Sequence, residues 1–143
     1  MKIIVKLVLV FCIVFALFEF AVRVVDPAGV SYYPEVARHL DTLVLKEPSG
    51  YKNPASYSGT HYGTHIETNS LGLRDREYSA KTPENTVRIF MLGDSVVFGV
   101  GVEAAATLPK QIEKLLNEQK PKNTTSFEVV NLGVTSYNTV QEL

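Results

Sequence analysis

The residues with the clearest chemical content lie where an apolar run ends. Val87-Arg88-Ile89-Phe90-Met91-Leu92 stops at Gly93-Asp94-Ser95, and Gly99 stands four residues beyond the serine. The run suits a buried strand, and ligands of open α/β sheets bind at the carboxyl ends of the strands. A hydroxyl presented there is a candidate nucleophile, provided a base removes its proton. Each residue also has a plainer use: Ser95 as a helix cap, Asp94 as a brace of the turn, Gly93 and Gly99 as backbone devices.

The three histidines, His39, His61 and His65, all precede Ser95. His61 and His65 are four apart, which on a helix would suit a metal pair. Gly63 lies between them in a loop-like context, so no metal is expected. All three read as loop or surface histidines, with His61 or His65 near the rim of a site as the remoter alternative.

Gly93, Asp94, Ser95 and Gly99 resemble the first block of the SGNH (GDSL-type) hydrolases, Gly-Asp-Ser-x-x-x-Gly after a hydrophobic strand. Upstream, Asn69-Ser70-Leu71-Gly72-Leu73-Arg74-Asp75 is similar to the lead-in of membrane-anchored members. Downstream, Asn131-Leu132-Gly133-Val134-Thr135-Ser136-Tyr137-Asn138-Thr139 is similar to the second block. The resemblance spans residues 69–143. It implies that Ser95 is the nucleophile, that Asp94 supports it, and that an oxyanion hole is built from the Ser95 N–H and a second-block N–H. Members of the family often place a glycine at that second position; here Gly133 opens the block and Ser136 stands where the later glycine falls. If the loop needs a positive φ there, Ser136 is strained. The Asp-x-x-His that would supply the base and the Gly-x-Asn-Asp third block are absent from the chain, which is therefore expected to be the N-terminal part of a longer protein and inactive alone. Arg74 and Asp75 read as a surface ion pair and Asn69 as a turn residue.

The elements that must position Ser95 follow from periodicity. Val87 to Leu92 and Phe127 to Leu132 read as strands. Thr107-Leu108-Pro109 reads as a helix start with Thr107 as N-cap. Leu108, Ile112, Leu115 and Leu116 form one apolar stripe, Lys110, Gln111, Glu113 and Lys114 the solvated side, and Pro121 the stop. Thr139 to Leu143 resembles the first turn of another helix. Strand, helix, strand, helix implies parallel strands joined by a crossover. The expected fold is α/β, a three-layer α/β/α arrangement with a parallel sheet (SGNH or flavodoxin-like), incomplete here. Before it, Glu35 to Leu45 reads as a short helix, and Glu47 to Thr68 as loop and short strand.

Composition bounds the rest. The chain has 143 residues and a formal net charge of −1, so no basic field argues for nucleic acid. Cys12 is its only cysteine; it excludes an internal disulfide and reads as a small apolar membrane residue. Lys2 and Lys6 precede the apolar run Leu7 to Phe18, and Glu19 and Arg23 can pair at i, i+4. With that pairing Ile3 to Val25 can span a bilayer, and a signal anchor is favoured over a cleaved signal. The lysines put the N-terminus in the cytoplasm and the remainder outside it. Asp26-Pro27-Ala28-Gly29 reads as the break that follows. Asn123-Thr124-Thr125 matches a glycosylation acceptor but reads as plain loop.

The organisation expected is thus an anchor over residues 1–25, a lead-in over 26–85, and the start of a hydrolase-type domain over 86–143. The expected function is extracytoplasmic ester hydrolysis on a small-molecule or carbohydrate ester, without cofactor or metal. Acyl transfer to a polysaccharide hydroxyl and a non-catalytic envelope role are the alternatives. Nucleotide binding is disfavoured, because Gly93 to Gly101 fits no phosphate-loop pattern.

Overall fold

The structure, a computed structural model, describes residues 2–25, 32–120 and 125–142. The chain divides into two compact units, Met1–Glu35 and Val36–Leu143. In the first, helix α1 (Lys2–Val25) is apolar almost throughout, and its apolar side chains are exposed. At 1.5 Å per residue, Ile3–Val25 extends roughly 34 Å, against a hydrocarbon core of about 30 Å. The helix is long and apolar enough to cross a membrane. Arg23 and Glu19 pair at 2.8 Å, as their spacing predicts. The break assigned to Asp26–Gly29 falls outside the described residues.

Helix α2 (Tyr32–Leu40) runs into the second unit. It begins and ends earlier than the expected Glu35 to Leu45. The Thr42 N–H and hydroxyl both donate to the His39 carbonyl, at 2.9 and 2.7 Å, and close the last turn. The chain then turns into a hairpin of β1 (Val44–Lys46) and β2 (Gly50–Lys52). A second hairpin pairs β3 (Ser58–His61) with β4 (Thr64–Glu67). Tyr62 and Gly63 link its strands, both with positive φ (55° and 70°), as the twist of a two-residue hairpin requires.

The apolar runs flanking the candidate nucleophile pair as parallel strands, β5 (Thr86–Gly93) and β6 (Ser126–Gly133). The register runs from Thr86 opposite Ser126 to Gly93 opposite Gly133. Between them lie the short helix α3 (Ser95–Phe98), a 3₁₀ turn at Ala104–Ala106 and helix α4 (Leu108–Gln119). The fold of the described residues is therefore mixed α/β, with a short parallel sheet and a helical crossover. The core is formed by Ile66, Phe98, Val129, Val130 and Val134.

Helix α4 departs from its expected amphipathicity. Leu108 and Leu115 are exposed, whereas Lys110 and Glu113, assigned to the solvated side, are largely covered. The cause is polar. Glu113 Oε2 accepts the Val129 N–H at 2.6 Å, and Lys110 Nζ pairs with Asp75 at 2.8 Å. Thr107 occupies the N-cap position without a capping bond; its buried hydroxyl instead donates to the Ala104 carbonyl at 2.9 Å. The stop at Pro121 and the Asn123 acceptor fall outside the described residues. At the other end of the unit, the Glu142 N–H donates to the Asn138 carbonyl and Asn138 Oδ1 accepts from Val140. A single turn forms in the expected place; Leu143 is outside the described residues.

The outer edge of β6 is closed by side chains. The N–H groups of Phe127, Val129, Asn131 and Gly133 donate to Asn117 Oδ1, Glu113 Oε2, Asp75 Oδ2 and Asn131 Oδ1. An unpaired strand edge is a template for further pairing, and here its donors are engaged. On β5, Phe90 and Leu92 share one face and remain more than half exposed.

Candidate active site

Ser95 is the first residue of α3, directly after the carboxyl end of β5. Asp94 is the N-cap: its Oδ1 accepts the Val96 N–H at 2.9 Å. The carboxylate thus braces the turn, the plainer of its two uses. At the other end, Gly99 adopts the left-handed conformation (φ 88°) and donates its N–H to the Ser95 carbonyl at 2.9 Å. The Val100 N–H reaches the same carbonyl at 3.0 Å. The Ser95 backbone is therefore held from both sides. Its side chain is half-buried, and among the described residues its hydroxyl has no hydrogen-bond partner.

The two resembling blocks come together because glycine permits contact. A Cβ on Gly133 would collide with the backbone of Phe98, and one on Gly93 with the Val97 side chain. The Gly93 carbonyl accepts the Val134 N–H at 3.0 Å, which joins the loops leaving β5 and β6. Of the two second-block N–H groups named as candidates for an oxyanion hole, that of Gly133 is engaged by Asn131 Oδ1 at 2.9 Å. The Ser95 N–H opens a helix, where no intrahelical acceptor exists. Ser136 has φ 66°, the conformation for which a serine there was expected to be strained.

The Ser136 loop is fastened by residues without a sequence signal. Tyr51 Oη donates to the Ser136 carbonyl at 2.9 Å, and Tyr137 Oη donates to the Tyr51 carbonyl. Their rings meet edge to face at 5.2 Å. Asn53 Nδ2 donates to the Gly133 carbonyl at 3.0 Å. These partners lie eighty or more residues apart in sequence, and nothing local in either segment announces them.

The histidines correct the surface reading. His39 and His61 are buried, with rings stacked 5.2 Å apart. His39 Nδ1 meets Tyr62 Oη at 3.2 Å, and His61 Nε2 meets Tyr57 Oη at 2.6 Å. Burial, followed by the neighbouring His61 and Arg74 charges, lowers the His39 pKa to about 4; burial likewise lowers that of His61, with Arg38 adding to it. Both are neutral at pH 7. His65 is on the surface, beside Glu67 at 3.1 Å. His61 and His65 lie on opposite strands of a hairpin, not on a helix, and among the described residues no group of three metal-ligating side chains gathers.

Arg74 and Asp75 are not a surface pair. Arg74 is 2% exposed and donates to main-chain carbonyls, while Asp75 binds Lys110 and the Asn131 N–H. Asn69 is a turn residue, as expected: its Oδ1 accepts the N–H groups of Leu71 and Leu73, both at 2.9 Å. A cleft of about 300 Å³ is lined by Glu67, Arg74, Asp75, Arg76 and Lys110. An open groove lies along Pro48–Gly50 and Asn138–Gln141. Ser95 lines neither of them.

No protein-family model matches the chain, and no curated protein matches it.

Proposed function

We propose that Ser95 is the nucleophile of an acyl transfer, and that the protein is a membrane-anchored serine ester hydrolase of SGNH type acting outside the cytoplasm. The carrying observation is a hydroxyl at the end of a parallel strand, on a turn capped at both ends, without a competing hydrogen bond among the described residues. Attack on an ester carbonyl would give an acyl-enzyme, which water resolves. The N–H groups of Ser95 and Ser136 are the proposed oxyanion donors. A donor of this kind is worth roughly 2.7–4 kcal/mol when aimed at the developing charge.

A three-layer α/β/α fold is part of this reading. Parallel sheets are covered on both faces, and the exposed Phe90 and Leu92 offer a surface for a further layer. The closed edge of β6 favours growth of the sheet only beyond β5. That makes β5 internal and β6 terminal, as in the flavodoxin-like strand order. The basic residues ahead of the apolar part of α1 support a cytoplasmic N-terminus.

The base is not supplied by the described residues: His39 and His61 are committed to tyrosines and His65 to Glu67. A non-catalytic envelope protein is the second reading, favoured by Ser95 lining neither cleft. The 143-residue chain on its own is expected to give no turnover of a p-nitrophenyl ester, since loss of a triad member costs on the order of 10⁴–10⁶ in rate. Ser95-dependent turnover by this chain would contradict the assignment of the base outside these residues.

A further inference from the structure

Arg74 is a buried cation without a carboxylate bonded to it among the described residues. Burying a charge is costly unless its donors are met; here main-chain carbonyls meet both Nη groups, while Nε is buried without a partner among the described residues. Nη1 donates to Phe98 (3.2 Å) and to Gly99; Nη2 donates to Val102 (2.7 Å) and His65 (3.3 Å). The guanidinium carbon also lies 5.2 Å from the centre of the Phe98 ring.

Three of these four carbonyls belong to the chain leaving the Ser95 turn. Phe98 and Gly99 end helix α3, where carbonyls have no intrahelical donor and a cation is favoured by the helix dipole. A Cβ on Gly99 would stand 3.1 Å from Arg74 Nη1, so the glycine also makes room for the guanidinium. Asp94 caps the front of α3 while Arg74 holds its back. A lysine ammonium offers three donors from one point, whereas the planar fork of arginine reaches acceptors spread over two sides.

We infer that Arg74 is a positioning residue for Ser95, fixing the Phe98–Val102 segment so that the serine turn keeps a single geometry. This rests on the proposed role of Ser95 as nucleophile. The arginine touches no reacting atom; it acts through the main chain that anchors Ser95. Displacement of a reacting group by about 1 Å from a distant change can cost on the order of 100-fold in rate.

The test uses the full-length gene product with Arg74→Lys and Arg74→Gln, and Ser95→Ala as a separate control. Two quantities are read: turnover of p-nitrophenyl acetate, and amide hydrogen exchange of Gly99 and Val100, whose N–H groups donate to the Ser95 carbonyl. The expected result is a fall in kcat on the order of 10- to 100-fold with KM within about twofold of wild type. Exchange should quicken at Gly99 and Val100 while the β5–β6 amides stay protected. Unchanged kcat and exchange overturn the inference. So does exchange that quickens uniformly, or loss of folding in both variants, since either outcome makes Arg74 a residue of the whole fold. If Ser95→Ala retains wild-type turnover, the nucleophile assignment fails instead, and the exchange measurement alone decides whether Arg74 holds the turn.

Discussion

Gly93 and Gly133 stand opposite each other at the carboxyl ends of β5 and β6, and the loops that follow them are joined by the Val134 N–H bonded to the Gly93 carbonyl. The backbone of α3 rests directly on Gly133, which has no side chain to keep it away. Gly133→Ala would place a methyl group against the Phe98 main chain, which cannot rotate aside. Overpacking of this kind costs roughly 1–3 kcal/mol. A urea denaturation midpoint lower by the corresponding amount is expected, and an unchanged midpoint would show that α3 does not rest on Gly133.

Glu113 closes the β6 edge and gathers cations. It pairs with Arg76 at 2.8 Å and Lys110 at 3.2 Å, in addition to accepting the Val129 N–H. Burial raises its pKa, but Arg76, the Val129 N–H and Lys110 together bring it below the ordinary value. Glu113→Ala removes the acceptor and leaves a strand donor unmet, at a cost of about 1–3 kcal/mol. Denaturation of this variant at neutral pH should show that loss, while the neighbouring exposed Lys114→Ala should show almost none.

The stacked histidines set a pH dependence. The His39 pKa is depressed when folded, so the unfolded chain binds more protons between the two pKa values. Stability from this residue is complete above about 6.5 and is lost as pH falls towards about 4, by up to roughly 3 kcal/mol. His61 acts in the same direction. Below the ordinary carboxylate range, protonation of Glu113 removes a further contribution. Thermal melts from pH 7.5 to pH 4 should therefore fall steeply, and His39→Phe should flatten the curve. An equally steep curve in that variant would place the pH dependence elsewhere.

Ser136 holds a left-handed backbone that costs an L-residue roughly 1–2 kcal/mol and glycine little. Its carbonyl, bonded to Tyr51, is unaffected by the side chain. Ser136→Gly is expected to stabilise the protein by a few tenths to about 1 kcal/mol, after the greater freedom of glycine in the unfolded chain is counted. A lower melting temperature would mean that the serine hydroxyl has a role in the loop.

The strands and the crossover helix were legible because each is announced by its own residues: the apolar runs of β5 and β6, and Thr107-Leu108-Pro109 ahead of α4. What escaped the sequence is the work of polar residues between segments. Arg74 and Asp75 look like a solvated pair until the carbonyls of Phe98 and Gly99 and the N–H of Asn131 are set beside them. His39 and His61 look like loop or surface residues until their rings stack and His39 packs on Phe98. Glu113 looks solvated until the unpaired edge of β6 reaches it. In each case the partner is a main-chain group or ring brought from a distant segment by tertiary contacts, and no local pattern encodes that supply.

The central claim is that the Ser95 hydroxyl forms the acyl-enzyme. The most direct test is mass spectrometry of the full-length gene product quenched during turnover of p-nitrophenyl acetate, with Ser95→Ala in parallel. The account predicts one acetyl group on the peptide containing Ser95, and neither adduct nor turnover in the alanine variant. An acetyl group on another residue, or undiminished turnover by Ser95→Ala, would contradict it.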